Sequence, residues 1–369
     1  MDAAVSAEEG AGEGSLGDSA FDTSGHVDGA GAPEGSIGCD GGFAPCGNTC
    51  VHVEDDARNC GACGHDCLTG QCSNGGCQPV TIASAPADAG SPVAIAVDSA
   101  NVYWVNVHSS VMKCAKTGCT QPTTLATGQP QDSIAVDGTS VYWADNGGNV
   151  LKCATAGCGG SPTVLASGQN SPYAVAVDAS SIYWTNFGNG TVMKCPIGGC
   201  SGQPTPLLST PSTGGLLGIA VDSTRAYWTS YGGGPGTVVA CAIGGCNNLP
   251  TTLITTQGQP EGIAVDGVNV YWTDPNRSLI ATCGVAGCNN MPSVLAAGQN
   301  LSGALAIDAT NVYWTTSTDG FVRACAISGC NNTPRSIAYG QSSPAGIAVD
   351  STSVYWTNRG DGSIRRVAK

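Results

Sequence analysis

The amino-acid sequence predicts an all-β fold built from seven copies of one structural unit, and three observations carry this prediction. Glycine accounts for 54 of 369 residues and only 11% of residues are charged, which disfavours long amphipathic helices held by ion pairs. An Ala-Val-Asp marker, or a variant of it, recurs seven times at intervals of 39 to 44 residues. Each interval contains four short runs rich in Val, Ile, Tyr, Trp and Thr. Because four strands in about 42 residues are typical of a propeller blade, we predict a seven-bladed β-propeller.

Composition divides the chain into three segments. Residues 1–38 carry eight acidic side chains and no Lys or Arg, and we expect a disordered Gly/Ala/acidic tail or linker. Residues 39–78 contain eight cysteines and few large apolar side chains. So short a segment needs covalent cross-links, so we expect a small disulfide-rich module. Residues 79–369 hold the repeats and form the predicted propeller.

Charge and cysteine content limit the class of protein. The net charge is −14 and no basic cluster is present, so we expect no nucleic-acid partner. No apolar run is long enough for a transmembrane segment. Twenty cysteines against four histidines favour disulfide bonds and an extracellular, cell-surface or periplasmic location. Residues 1–20 lack a signal-peptide pattern, so we expect a processed or truncated form of an exported precursor, with the N-terminus as a tether.

The cysteine segment carries motifs of a known family. The stretch "CGNTCVHVEDDARNCGACGHDC" at 46–67 resembles the stigma-specific cysteine-rich family. The resemblance implies a small extracellular disulfide module and leaves the cysteine pairing open. The alternative is a zinc knuckle through Cys60, Cys63 and His65 or Cys67.

The repeats resemble the NHL and YWTD families of propellers. "GIAVD" at 262–266 and "VYWTD" at 270–274 carry both patterns, although the literal YWTD tetrad occurs once. The resemblance implies that the marker run is the innermost strand and that the Tyr-Trp run is the second. The run ending in cysteine is then the third strand, and a run such as "PTTLA" is the outermost.

Strand order predicts how the ring closes. The last third strand, "SIRRV" at 363–367, is followed by no outer strand. The run "PVTIA" at 79–83 resembles the outer strands of the repeats but belongs to no complete repeat, and it precedes the first inner strand. We therefore expect the N-terminal strand to pair with 363–367 and to close the last blade, since closure removes an exposed sheet edge.

Six cysteine pairs, each with four residues between its members, follow the third strands. Glycine precedes the second cysteine in all six, which suits a hairpin residue with positive φ. We expect the two cysteines to face each other across a four-residue hairpin and to form local disulfides. The pairs are Cys114/Cys119, Cys153/Cys158, Cys195/Cys200, Cys241/Cys246, Cys283/Cys288 and Cys325/Cys330.

Two residue types recur at one register in every repeat. Each marker Asp is expected to accept hydrogen bonds from the amides of the following turn, with calcium ligation as the alternative. All seven tryptophans stand six residues after a marker Asp, each preceded by Tyr. Such regular recurrence indicates packing between blades.

Residues that differ between repeats are the candidate ligand contacts. In propellers, the connections from outer to inner strand and from second to third strand lie on one face. We call this the loop face. Exposed aromatic and arginine side chains favour interfaces, so the candidates are His108, Phe187, Tyr231, Arg277 and Arg359.

The sequence favours a binding or scaffold protein over an enzyme. We predict an exported, non-enzymatic protein that presents its loop face to a protein or carbohydrate ligand, with no cofactor, metal or catalytic residue assigned. A propeller lyase or hydrolase is the first alternative. It would use His108 or the loop acids Asp145, Asp274, Asp319 and Asp361. A purely structural cell-envelope component is the second.

Overall fold

The computed structural model describes residues 39, 41–84, 90–128, 130–209, 215–231 and 234–369. The predicted acidic tail lies outside the described residues. The described chain begins with two short hairpins, β1 (Ala44–Cys46) with β2 (Thr49–Val51) and β3 (Cys72–Ser73) with β4 (Gly76–Cys77). Strand β5 (Val80–Ser84) follows and leads into the repeats. No helix among the described residues is both long enough and apolar enough to cross a bilayer.

Seven four-stranded antiparallel sheets follow one another, which confirms the predicted seven-bladed β-propeller. Blades 1 to 3 comprise β6 (Pro92–Val97), β7 (Asn101–Asn106), β8 (Ser110–Ala115) and β9 (Thr123–Thr127); β10 (Pro130–Val136), β11 (Ser140–Asp145), β12 (Val150–Ala154) and β13 (Thr163–Ala166); and β14 (Pro172–Val177), β15 (Ser181–Asn186), β16 (Thr191–Pro196) and β17 (Thr205–Leu208).

Blades 4 to 7 repeat the same strand order, and a 3-10 turn at Pro275–Arg277 separates β23 from β24. They comprise β18 (Gly215–Val221), β19 (Arg225–Tyr231), β20 (Gly236–Ala242) and β21 (Thr251–Gln257); β22 (Ile263–Val265), β23 (Asn269–Asp274), β24 (Leu279–Gly284) and β25 (Ser293–Ala297); β26 (Leu301–Ile307), β27 (Asn311–Thr316), β28 (Phe321–Ala326) and β29 (Arg335–Ala338); and β30 (Pro344–Val349), β31 (Ser353–Asn358) and β32 (Ser363–Ala368) with β5.

The N-terminal strand closes the ring as predicted. Strand β5 pairs antiparallel with β32, and Ile364 lies opposite Ala83. Ile82, the central residue of β5, is buried together with Trp104 of blade 1. The first and last strands of the propeller are therefore held in one sheet, which joins blade 7 to blade 1.

Seven buried clusters lie between neighbouring blades. In each cluster the Tyr of one blade packs with the Trp of the next, so that Tyr103 meets Trp143 and, across the closure, Tyr355 meets Trp104. The remaining pairs are Tyr142 with Trp184, Tyr183 with Trp228, Tyr227 with Trp272, Tyr271 with Trp314, and Tyr313 with Trp356. The Tyr-Trp repeat thus supplies the inter-blade packing that its regular recurrence predicts.

A threonine directly after the Trp joins inner strands of adjacent blades. The Thr273 hydroxyl accepts from Gly262 N–H at 3.0 Å and donates to the Gly303 carbonyl at 2.8 Å. Thr229 makes the corresponding pair of contacts with Gly218 N–H and the Glu261 carbonyl. These bonds occupy backbone groups that the irregular inner-strand register leaves without a ladder partner.

The predicted geometry of the six cysteine hairpins is wrong, although all six local disulfides are present. In blade 1 the third strand pairs with the outer strand at Lys113 and Thr123, so the connection is longer than the predicted four residues. The first cysteine of each pair lies in the third strand, whereas the second lies in the connection and does not face its partner across a ladder. This correction applies to Cys119, Cys158, Cys200, Cys246, Cys288 and Cys330. Each glycine before the second cysteine has the expected positive φ.

The outer strand of the preceding blade positions these second cysteines. The amide of Cys119 donates to the Ile82 carbonyl at 2.9 Å, which holds Cys119 away from the outer strand of its own blade. Four of the other sulfurs lie beside a leucine carbonyl of the preceding blade: Cys158 at 3.5 Å from Leu125, Cys200 at 3.4 Å from Leu165, Cys246 at 3.6 Å from Leu207 and Cys330 at 3.4 Å from Leu295. Cys288 packs against the buried cluster that contains Leu253 of the preceding outer strand. Each disulfide therefore closes a loop that contacts the neighbouring blade, and it does not bridge two strands of one blade.

The cysteine module lies against blade 7. Its disulfides are Cys39–Cys50, Cys46–Cys63, Cys60–Cys72 and Cys67–Cys77. Four of these cysteines, Cys60, Cys67, Cys72 and Cys77, belong to the same buried cluster as Trp356 and Val367. In each of the other six clusters, a hairpin disulfide accompanies the Trp. The module therefore fills the position of the seventh hairpin, which the chain lacks.

Candidate functional site

The loop face opens into a cavity on the propeller axis, which we call the mouth. Its volume is about 330 Å³ and its rim is formed by the residues five positions before the marker Asp in six of the blades. These residues are Val93, Tyr173, Leu217, Glu261, Gly303 and Ala345. Equivalent residues of the repeats lie at the same height along the propeller axis. Side-chain differences at this position therefore determine the chemistry of the mouth.

The wall below the rim is apolar. Two positions further along the inner strand stand Ile134, Val175, Ile219, Ile263 and Leu305, and all five line the cavity. The cavity is open to solvent at the loop face, and apolar side chains on its wall with charged groups at the rim are features that ligand sites combine. Among the side chains that the structure describes, the two charged ones that line the mouth are Glu261 and Arg359.

Glu261 is held by its neighbours with the carboxylate turned across the rim. Gln259 Nε2 donates to Glu261 Oε1 at 3.0 Å. The other carboxylate oxygen lies over Gly303, where an added Cβ would come within 2.3 Å of it, and Gly303 has a φ of +89°. Among the described residues, no Lys, Arg or His nitrogen approaches this carboxylate to within 4.0 Å. Burial, and then the charge of Asp274, raise the pKa of Glu261 above its ordinary value.

Asp274, the last residue of the YWTD tetrad, organises the loop that carries Glu261. Its side chain is fully buried and accepts from Gly258 N–H at 2.7 Å and Gln259 N–H at 2.9 Å. It also accepts from Arg277 N–H at 3.2 Å, which caps the 3-10 turn. Arg277, predicted as a ligand contact, extends its half-exposed side chain beside this carboxylate, with Nε 4.0 Å from Asp274 Oδ2.

Two aromatic rings lie beside the mouth in blade 3. Tyr173 lines the cavity, and the ring of Phe187 lies 6.1 Å from the Tyr173 ring. Phe187 is 46% exposed and covers Gly215, where a Cβ would clash with its ring. Tyr231, in the corresponding loop of blade 4, is 40% exposed. The predicted Phe187 therefore borders the mouth through Tyr173.

The remaining two candidates have different environments. Arg359 belongs to the second-to-third-strand loop of blade 7 and lines the mouth. Its backbone N–H donates to the Ser343 carbonyl at 3.1 Å, which fixes the loop while the side chain stays exposed. His108 has a positive φ and its Nδ1 accepts from Asn146 Nδ2 at 2.7 Å, so it joins the loops of blades 1 and 2.

The other loop acids take part in local structure. Asp145 accepts from Asn149 N–H at 2.9 Å, and Asp361 accepts from the Ser363 hydroxyl at 2.6 Å. Asp319 forms an ion pair with Arg323 at 3.2 Å. Together with Asp274, these are the loop acids considered for a lyase or hydrolase, and each is engaged by its own loop.

The seven marker aspartates lie at the opposite face. In blade 3, Asp178 Oδ1 accepts from Ser180 N–H at 2.7 Å and Ser181 N–H at 2.8 Å, while Oδ2 accepts from the Tyr183 hydroxyl at 2.7 Å. The same Tyr contact recurs in all seven blades. Both carboxylate oxygens are thus occupied by turn and tyrosine donors, which argues against calcium ligation at these positions.

Metal ligation through the cysteine module is not supported by its bonding. The sulfurs of Cys60, Cys67 and Cys77 lie within 4.8 Å of one another. Each belongs to a disulfide, as does Cys63, and no free cysteine is found in the described part of the chain. The zinc-knuckle alternative therefore lacks thiolate ligands.

The sequence did not single out two residues that the structure places in the mouth, Glu261 and Tyr173. Both occur five residues before a marker Asp, a position at which the other repeats have Val, Asp, Leu, Gly or Ala. A comparison restricted to that register would have singled out Glu261 and Tyr173 together with Asp132 of the second repeat, since the other four residues there are small or aliphatic.

Comparisons with known proteins support the fold. No protein-family model matches the chain, and no curated protein sequence matches it significantly. Virginiamycin B lyase from Staphylococcus aureus aligns with a TM-score of 0.64 at 13% identity, over 79% of this chain and 98% of that one. The WD40 propeller domain of Doa1 aligns at 0.63 and 13% identity, over 79% and 97% of the two chains. YCF48 bound to D1 peptide aligns at 0.59 and 12% identity, over 79% and 96%. At these identities the likeness shows the seven-bladed β-propeller fold alone.

Proposed function

We propose that this chain is an exported, non-enzymatic binding protein that presents the mouth of its loop face to a protein or glycan ligand. The observation that carries the proposal is the mouth itself, an axial cavity of about 330 Å³ with an apolar wall, two aromatic rings at its edge and two charged rim side chains. Ligands bind preferentially in concave sites where a few placed polar groups stand beside apolar and aromatic surface.

The disulfide framework supports an extracellular, cell-surface or periplasmic location. Twenty cysteines form ten disulfides, and such bonds persist in oxidising compartments. The N-terminal acidic segment would tether the module and propeller to a surface. Both parts are cross-linked, which suits a rigid scaffold outside the cell.

The alternatives are a propeller lyase or hydrolase and a purely structural envelope component. One structural neighbour is a lyase and another is bound to a peptide, so the fold accommodates either activity. The engagement of the four loop acids by their own loops favours binding over catalysis.

The test is a binding screen of the full chain against peptide and glycan arrays, repeated with Phe187→Ala. Removing this ring opens the edge of the mouth and is expected to weaken binding at least tenfold. The matched control is Tyr339→Ala, which removes an aromatic ring that is 72% exposed at the end of blade 6. Equal binding by wild type and Phe187→Ala would contradict the proposal. Turnover of a bound compound that depends on the mouth would favour the enzyme.

A further inference from the structure

Among the described side chains, Glu261 and Arg359 give the mouth two opposite charges at separate places on its rim. Glu261 precedes the inner strand of blade 5, whereas Arg359 comes from a loop of blade 7. Ala345 of blade 7 and Gly303 of blade 6 lie between them and are small, so the rim is open on that side. The two side chains therefore face one cavity without a bulky residue separating them.

The Glu261 carboxylate is partly buried and lacks a cationic partner in the described part of the chain. A single hydrogen bond from Gln259 leaves most of its acceptor capacity open. A desolvated carboxylate is stabilised by a cationic donor, and the gain is larger at an enclosed rim than in bulk water.

Aromatic surface lies at the same height. Tyr173 occupies the same register position as Glu261, two blades away, and Phe187 packs beside it. Aromatic faces attract cations and also the apolar stems of lysine and arginine side chains. The cation-attracting groups thus lie on blades 3 and 5, whereas Arg359 belongs to blade 7.

We propose that the mouth binds a zwitterionic peptide segment, whose cationic nitrogen lies on Glu261 and whose carboxylate lies on Arg359. This rests on the proposed binding function and selects a peptide over a glycan, because a neutral sugar offers no cationic donor to the partly buried Glu261 carboxylate and no carboxylate to Arg359. An arginine presents a planar pair of donors that suits a carboxylate.

The experiment uses the full chain and an array of 12-residue synthetic peptides in which Lys and Asp stand at varied spacing. Each peptide has one copy with Lys replaced by norleucine and one with Asp replaced by Asn. Wild type is expected to prefer the Lys and Asp forms by tenfold or more. Glu261→Gln, which keeps the shape and the Gln259 contact, is expected to lose the preference for Lys over norleucine. Arg359→Gln is expected to lose the preference for Asp over Asn.

Matched controls are Glu54→Gln and Arg58→Gln, which change exposed residues of the cysteine module and are expected to leave both preferences intact. Peptide binding that does not distinguish Lys from norleucine, or that survives Glu261→Gln unchanged, would overturn the proposal. Failure of every peptide to bind wild type would also overturn it. If glycans bind instead and Phe187→Ala abolishes that binding, the proposed function stands while the peptide inference fails.

Discussion

The Asp-Tyr pair is the repeated polar unit of this propeller. One carboxylate oxygen closes the turn after the inner strand, and the other accepts from a tyrosine hydroxyl five residues later. Partial burial alone would raise the pKa of each Asp, but the tyrosine and turn amides outweigh it and hold the pKa below its ordinary value. At Asp308 and Asp350 the largest lowering effect comes from a lysine, Lys369 and Lys116 respectively. The same pairing lets a tyrosine ring stay buried between blades with its hydroxyl satisfied.

Removing one tyrosine hydroxyl is expected to cost measurable stability. Tyr183→Phe keeps the buried ring and leaves Asp178 Oδ2 without its donor, so the free energy of unfolding should fall by about 1–2 kcal/mol. Chemical denaturation checks the value. Tyr339→Phe, at an exposed tyrosine, serves as the control and should change stability by less than about 0.5 kcal/mol. Equal effects of the two substitutions would refute the role assigned to the pair.

Stability is expected to be highest between about pH 4 and pH 10, because the Asp and the Tyr of each pair both have a different pKa in the folded chain than in the unfolded chain. The pKa of each marker Asp is lowered by folding, so its contribution is present above about pH 4 and is lost as pH falls towards the folded value. Burial and the Asp contact raise the pKa of Tyr183, Tyr271 and Tyr355 to about 12. Their contribution is therefore present below about pH 10 and is lost as pH rises towards 12.

Melting temperature measured by circular dichroism from pH 2 to pH 11 tests this dependence. Asp178→Asn removes one titrating carboxylate and should make the acid side of the profile shallower. A flat profile between pH 2 and pH 4 would show that the aspartates do not carry the effect.

At the scale of elements, the inner strands are joined by side chains as well as by packing. The residue after Trp is Thr in blades 3 to 7, whereas blades 1 and 2 have Val105 and Ala144. In blades 4 and 5 this hydroxyl connects an amide of its own blade to a carbonyl of the next. On the opposite face, Lys113 Nζ donates to the Thr155 carbonyl of the next hairpin at 2.7 Å, and Lys152 and Lys194 repeat this contact. Neighbouring blades are thus connected at both ends of their strands.

Thr273→Val tests the inner connection. Valine has nearly the shape of threonine, but it leaves Gly262 N–H and the Gly303 carbonyl without this hydroxyl, so unfolding free energy should fall by about 1–3 kcal/mol. Differential scanning calorimetry or denaturant titration measures the loss. Thr123→Val, on the exposed outer strand β9, is the matched control and should lie within about 0.5 kcal/mol of wild type. An unchanged stability for Thr273→Val would mean that the hydroxyl bridge is dispensable.

At the scale of the whole molecule, two parts of the N-terminal chain complete blade 7. Strand β5 supplies the outer strand, and the cysteine module supplies the buried cystines that a hairpin supplies elsewhere. Arg366, at the register of Lys113, donates to the Lys116 carbonyl of blade 1 at 3.2 Å and to Leu68 and Thr69 of the module. The module is thereby part of the closure of the ring as well as an appended domain.

Because β5 closes the ring, a substitution in β5 is expected to destabilise the whole propeller, although β5 lies far in sequence from its partner strand β32. Ile82→Ala removes the buried centre of β5 and should lower the unfolding free energy of the propeller by about 2–5 kcal/mol. The matched control is Val164→Ala, on the outer strand of blade 2, where the side chain is 53% exposed and the cost should be about 0.5 kcal/mol. Denaturant unfolding followed by tryptophan fluorescence compares the two. Similar costs would indicate that β5 does not secure the ring.

The sequence by itself determined the blade number, the strand order and the closure by the N-terminal strand. Each of these depends on patterns that repeat locally, such as the Tyr-Trp pair at a fixed distance from Asp and the outer-type run at 79–83. The pairing of neighbouring cysteines could be predicted for the same reason. The shape of the hairpins could not be predicted from the local pattern, because the preceding blade positions the second cysteine of each pair. Ile82 does so for Cys119 and Leu125 for Cys158.

Only the tertiary structure decided which residues meet at the mouth and where the module lies. Glu261, Tyr173 and Arg359 come from three blades and converge because the inner strands are arranged around one axis. The contact of Arg366 with Leu68 joins residues 298 positions apart, and no periodic pattern encodes such a pair. Local periodicity specifies the blade, whereas packing between distant segments specifies the site.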